Sequence, residues 1–241
     1  MVAPIAALAL WALLAAVWSS PRLPGPLAVA IALAEAALNG PLWADLGASL
    51  SRVGRGWALA AAVGLPLGAA AALGGPLFGG LRLVAGALRP VPPIAWVPLA
   101  ILWLGLGDHG ATFIVAIGAS APIFAQASWG LARCPPQLLE MAHAVGAGRR
   151  QVLLGLRLPA ALPALSAGLR TGLGVAWTSV IAAELLGAQS GLGYRIGALR
   201  LGLDVPGVIA HMLVIGAVGA LMDRAVAVAE ARLLRWPAGA A

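Results

Sequence analysis

The stretch EMAHAVGAGRRQVLLGLRLP, Glu140 to Pro159, decides how the whole chain is read. Arg149, Arg150, Arg157 and one carboxylate stand here between an uncharged run, Ala111 to Ala132, and a Pro-studded apolar run that begins at Pro163. Charge at this density is costly in hydrocarbon. The stretch therefore lies outside the bilayer, and the apolar runs on either side of it cross.

Composition supports that reading. Of 241 residues, 61% are hydrophobic and 10% charged, against about a quarter charged in a soluble domain. The net charge of +7 would point to nucleic acid in a soluble protein. Here the arginines fall between apolar runs, where such an excess sets orientation, so no nucleic-acid site is read. All fifteen basic residues are Arg. Without lysine the chain cannot form a phosphate loop ending Gly-Lys-Ser/Thr, so any ATP in the system binds another subunit. The single cysteine, Cys134, allows no internal disulfide or Cys-based metal site. His143 and His211 lack a second ligand at metal spacing, so no metal site is expected.

Working outward from Glu140, six uncharged or nearly uncharged runs are long enough to span: Val2 to Trp18, Trp57 to Leu81, Pro90 to Gly107, Ala111 to Ala132, Pro163 to Leu186 and Val205 to Met222. The first lacks the basic region of a cleaved signal and is read as a retained span. Pro26 to Leu38 and Leu42 to Val53 read as two short interfacial helices. The expected fold is an all-α polytopic membrane helix bundle of about six transmembrane helices. It divides into residues 1–56 (first span and interfacial helices), 57–226 (core) and 227–241 (C-terminal tail).

Six spans put both termini on one side. With the N-terminus cytoplasmic, nine arginines fall inside (Arg82, Arg89, Arg133, Arg149, Arg150, Arg157, Arg224, Arg232, Arg235) and five outside (Arg22, Arg52, Arg55, Arg195, Arg200), with Arg170 in a span. That balance makes the Glu140 stretch and both termini cytoplasmic. No internal repeat is evident, which argues against the inverted-repeat secondary transporters.

On pattern alone, Pro135 to Ala147 is a short helix. Pro135 and Pro136 start it, Leu138, Leu139, Met141 and Val145 give an apolar side, and Gly146 and Gly148 end it. Such a helix either docks into a groove of another protein or merely connects two spans.

A family resemblance separates these alternatives. Glu140-Met141-Ala142, then Gly146 four residues on, then Leu156-Arg157-Leu158-Pro159, resembles the EAA loop of permease subunits of binding-protein-dependent ABC importers. Met141 stands where Ala is usual and Leu156 where Ile is usual. Arg89-Pro90-Val91-Pro92-Pro93-Ile94-Ala95-Trp96-Val97-Pro98-Leu99, with Ile101-Leu102-Trp103-Leu104-Gly105-Leu106-Gly107 after it, is similar to the proline-rich helix of the sulfonate, taurine and nitrate branch. So are Gly168-Leu169-Arg170, Ala176-Trp177, Ala182-Ala183-Glu184 and Gly191-Leu192-Gly193-Tyr194. A lysine usual after the Gly-x-Gly turn is replaced by His109 to Thr112. The resemblance covers roughly Leu42 to Trp236.

The resemblance implies a type I ABC importer permease fold. It implies pairing with a second permease copy, a path at the dimer interface, and a cytoplasmic ABC ATPase dimer that binds ATP and Mg. A periplasmic or lipid-anchored solute-binding protein would deliver an anion such as an aliphatic sulfonate, taurine or nitrate. The chain itself would bind no cofactor and catalyse nothing. Glu140, Met141 and Ala142 would form the coupling helix, with Glu140 fixing it in the ATPase cleft, Gly146 allowing the close turn, and Leu158 and Pro159 starting the next span. Arg149 and Arg150 are added for their position beside the helix, where orientation by charge is the alternative.

Pro93, Trp96, Pro98, Trp103, Trp177 and Glu184 are the candidate residues of the path. Proline frees backbone carbonyls, which a cavity or a neighbouring helix must satisfy, while the tryptophans either gate the path or pack between helices. Glu184 reads as reaching the headgroups or pairing with Arg195 or Arg200, since a carboxylate would repel an anion. Trp18, Trp43, Trp57 and Trp236 read as interfacial anchors, and Arg170 as snorkelling to the headgroups. The competing reading, an ATP-independent secondary transporter or channel, needs ionisable groups in several spans, and only Arg170, Glu184 and His211 are candidates.

Overall fold

The computed structural model describes residues 2–18, 20 and 22–233. Their regular structure is helical throughout: α1 (Val2–Trp18), α2 (Pro26–Leu38), α3 (Leu42–Leu73), α4 (Pro76–Leu88), a 3-10 turn (Pro93–Trp96), α5 (Val97–Leu104), α6 (Asp108–Ala132), α7 (Pro136–Ala144), α8 (Arg149–Val152), a π-helical turn (Leu153–Arg157), α9 (Leu158–Gly187), α10 (Leu192–Leu201) and α11 (Val205–Leu233). Four helical stretches are long and apolar enough to cross a membrane: Leu42–Leu73, Asp108–Ala132, Arg149–Gly187 and Val205–Arg232. Phe78–Leu88 and Pro93–Leu104 reach that length and apolarity only as a pair, and they meet at 95°, the geometry of a broken span or a re-entrant segment, so the described residues hold four such stretches or five. The first expected span, α1, is an apolar helix of 17 residues.

Packing centres on α3, α6 and α9. α3 presents Gly56, Ala60, Gly64 and Gly68 at every fourth position, which is one helix face. A methyl group added at Gly64 would stand 3.1 Å from Ile123 Cγ2, and one at Gly68 would stand 2.6 Å from Ala127 Cβ. Gly172 of α9 approaches Ile123 from the other side, where a methyl would lie 2.7 Å from Cγ1. Ile123, Val115, Ala119, Ala176 and Val180 are fully enclosed between these faces. Close approach over small residues suits a bundle in lipid, where contact between backbones replaces the hydrophobic drive as the source of association. α2 lies against α11, and α10 closes over α9 and α11.

Four expectations change. The helix expected to end at Val53 runs on as the first third of α3, while the span expected to reach Leu81 ends at Leu73. Pro90 to Gly107 is a 3-10 turn and an eight-residue helix rather than one straight span, because Pro90, Pro92 and Pro93 withhold the amide hydrogens a continuous helix needs. Arg82 and Arg89, counted among the arginines between spans, belong to α4 and its C-cap. The helix after the polar stretch starts at Arg149, well before Pro163. It passes Pro159 by widening into a π turn, in which the Leu158 amide bonds to the Leu153 carbonyl. Residues 234–241, including Trp236, Arg235 and most of the expected tail, lie outside the described residues.

Candidate functional site

Three features could carry function, and they sit at different heights along the bundle. The first is α7, at the end where α6 finishes and α8 begins. Pro136 occupies the first turn, where its missing amide costs nothing. Gly146 ends the helix at φ +75°, its amide bonding to the His143 carbonyl at 3.0 Å while the Ala147 amide reaches the Ala142 carbonyl at 2.9 Å. This pair of bonds closes a helix on a left-handed residue, a conformation that glycine takes without strain. Gly148 then starts α8, its amide donating to Gln151 Oε1 at 2.8 Å. Ala142 is the only buried residue of α7. Leu138, Met141 and Val145, spaced to share one face, are exposed, Val145 at 82%. Glu140 is exposed beside them.

The second feature is a cavity of about 630 Å³ at mid-height. Gly64 and Leu67 of α3, Val84 and Leu88 of α4, Ser120 and Gln126 of α6, and Thr171 of α9 contribute to its wall. Pro93 and Trp96 line it too, and Arg89 is its one charged lining residue. A smaller cavity of about 290 Å³ adjoins it, also lined by Arg89 and by Arg82, Ser128 and Trp129.

The third is a knot of charges at the far end from α7. Asp45, Ser49 and Arg52 follow one another at i, i+4 and i+7 on α3 and are all buried. Arg52 donates from Nη1 to Glu184 Oε1 at 2.7 Å and to the Ser190 carbonyl at 2.7 Å, and from Nε to Asp108 Oδ1 at 2.8 Å. Ser49 Oγ donates to Glu184 at 2.9 Å and accepts from the Leu192 amide at 3.0 Å. The Gly193 amide reaches Glu184 Oε2 at 2.9 Å. Asp45 accepts from the Gly191 amide at 2.9 Å and from Arg195 Nε at 2.8 Å. Every charge is thus paired, and the turn before α10 is held by carboxylates and a hydroxyl. Gly191, at φ +107°, lies so close to the Glu184 carboxylate that no side chain fits there.

A family model described as "Binding-protein-dependent transport system inner membrane component" matches residues 64–235. The chain belongs to that family. It is an α-helical, multi-pass permease of the ABC-importer type. A putative ABC transporter permease protein of Methanocaldococcus jannaschii is 40% identical over 198 residues, covering 78% of this permease and 71% of that protein. The taurine transport system permease protein of Escherichia coli is 34% identical over 199 residues, covering 83% and 72%. A permease chain from the inward-facing MetNI methionine ABC transporter superposes with a TM-score of 0.72 at 20% identity, covering 82% of this permease and 99% of that chain. That likeness establishes the shared fold.

The structure gathers Glu140, Met141, Ala142 and Gly146 on α7 and its closing turn, with Arg149 and Arg150 opening α8. Leu158 and Pro159 continue the same long helix beyond the π turn. Of the candidate path residues, Pro93 and Trp96 line the cavity. Pro98 is exposed on α5, and Trp103 is exposed with its ring edge-on to Phe113, centroids 6.1 Å apart. Trp177 is buried and donates to the Ile215 carbonyl at 3.1 Å.

Glu184 pairs with Arg52, not with Arg195 or Arg200. Asp45 takes Arg195, and Arg52 reaches the Glu184 carboxylate from α3 while it also bonds to the Ser190 carbonyl. Arg170, expected to snorkel, instead bonds to Asp223 at 2.8 Å and lies near Glu230, both on α11. Trp57, expected as an interfacial anchor, donates to the Leu169 carbonyl at 3.0 Å. Sequence reasoning missed the knot and the place of Arg89 in the cavity wall. The signal for the knot was the spacing of Asp45, Ser49 and Arg52 on one helix face. For Arg89 it was a charge set directly against a proline cluster.

Proposed function

We propose that this permease forms the translocation path of an ATP-driven importer for a small anion, a sulfonate such as taurine or an oxyanion such as nitrate. It couples to a separate cytoplasmic ABC ATPase dimer through α7. The observation that carries the coupling role is the shape of α7. It is a rigidly closed helix that stands off the bundle and presents Leu138, Met141 and Val145 to solvent with Glu140 beside them. An exposed apolar stripe on a short helix is suited to a groove in another protein.

In this reading Glu140, Met141, Ala142 and Gly146 make the coupling helix, Arg149 and Arg150 flank it, and Leu158 and Pro159 carry its displacement into α9. ATP and Mg belong to the ATPase, and this chain binds no cofactor. A second copy of the permease completes the path, and an external solute-binding protein delivers the solute. The α7 end and both termini face the cytoplasm. Residues 57–226 hold the path and the loop, residues 1–56 add the first helices and the start of α3, and residues 227–241 form the tail. The anion class is supported by the name of the E. coli taurine relative and by a cavity whose one charge is positive.

The test is co-purification with an ABC ATPase co-expressed from the same organism. Glu140→Arg is expected to insert normally and lose at least nine-tenths of the associated ATPase. Undiminished association of that variant would refute coupling through α7.

A further inference from the structure

We infer that Arg89 is the solute-selecting residue of the path, the cation on which a small oxyanion pauses as it crosses the middle of the permease. The inference rests on the proposed importer reading and assigns a residue within it. Position is the first ground. Arg89 is exposed to the open space of both cavities. The wall facing it comes from Ile117 to Gln126, the middle of α6, and from Thr171 and Val175, the middle of α9, so its charge stands over a passage that water can enter, where an arginine is tolerated.

Pairing is the second ground. Arg82 donates to Ser128 Oγ at 3.1 Å and to the Ala71 carbonyl at 2.7 Å, so its guanidinium is committed to the protein. Arg133 stacks on the Trp129 ring at 3.9 Å. The Arg89 guanidinium has no hydrogen-bond or ion-pair partner among the described residues, and no Asp or Glu lines either cavity that it borders. It is the one cation there with its donors unspent.

The chemistry of the wall is the third ground. In a largely apolar wall stand neutral groups able to donate to an oxyanion, the Gln126 amide, the Thr171 hydroxyl and the Trp96 indole, while the Ser120 hydroxyl is spent on the Ile117 carbonyl. Fixed polar groups set in an apolar wall are how a pocket orients a small ligand, and an arginine fork matches the paired oxygens of a planar or tetrahedral anion. Arg89 is also the C-cap of α4, where a cation favours the helix dipole. That role would affect how firmly α4 is held, but not how much solute crosses per ATP.

The experiment reconstitutes the permease with its ATPase and binding protein in liposomes. Taurine, methanesulfonate and nitrate serve as probes, and uptake is scored per assembled complex and per ATP hydrolysed. Arg89→Gln is expected to assemble and hydrolyse ATP at the wild-type rate while importing at least ten-fold less anion per ATP. Arg89→Lys, which keeps the charge and loses the fork, should fall between the two. Wild-type uptake per ATP in Arg89→Gln would overturn the inference and leave the importer reading standing. Absence of ATP-dependent uptake of all three anions by the wild-type complex would overturn the importer reading and this inference with it. A loss confined to liposomes of anionic lipid would assign Arg89 to a headgroup and overturn it as well.

Discussion

Arg52 has 2% of its side chain exposed and three acceptor residues around it. Removing it leaves Glu184 buried beside Ser49 and the Gly193 amide without its counter-charge. Breaking one side of a buried pair costs about 3–5 kcal/mol. Arg52→Leu is therefore expected to lower the unfolding midpoint in detergent sharply, and the double variant Arg52→Leu with Glu184→Ala should recover part of the loss. Equal stability of Arg52→Leu and wild type would show that the knot adds nothing. At this scale the sequence was legible where neighbours in the chain decide the outcome. Gly146 closing α7 followed from its place after an apolar periodicity. The partner of Glu184 was not legible, because Arg52 stands 132 residues away and pairing at that distance is set by packing, not by spacing.

At the level of the helix, α3 shows why a polar beginning misleads. Asp45, Ser49 and Arg52 look like the solvated edge of an interfacial helix until their shared face is matched to α6, α9 and α10. The turns after it carry Gly56, Gly64 and Gly68, which let α6 approach, so the helix continues and the charges are buried with it. Gly68→Leu tests the packing part of this account. Its side chain would meet Ala127 and the Phe124 carbonyl with no room to turn, and overpacking of this kind costs about 1–3 kcal/mol. The variant is expected to insert but unfold earlier on heating, whereas Gly47→Leu, placed where a Cβ meets nothing within 4 Å, should behave as wild type. The break between Phe78–Leu88 and Pro93–Leu104 was foreshadowed by the prolines around it. Its angle of 95° was not, since proline marks where a helix must yield without saying in which direction.

Taken whole, the chain runs from a loop end, through a cavity with one unspent cation, to a far end locked by ion pairs, and these three levels are joined by α3, α6 and α9. The class of fold was legible because hydrocarbon thickness dictates run length. The levels were not, because each is assembled from segments that meet only after folding. The knot also imposes an order on synthesis. Asp45 and Arg52 leave the ribosome long before Glu184, Gly191 and Arg195 exist, and each isolated charge opposes deeper entry into the bilayer, at a cost that rises to about 2.5–3.5 kcal/mol at the centre of a span. Until the last third of the chain arrives, the start of α3 is better placed on the membrane surface, the arrangement that its sequence alone suggests. Nascent chains halted at residue 180 should therefore leave a cysteine at Ser49 open to water-borne reagents, and chains released beyond residue 200 should protect it. The last third of the chain thus completes the first, since the start of α3 gains its buried partners only when Glu184, Gly191 and Arg195 are in place.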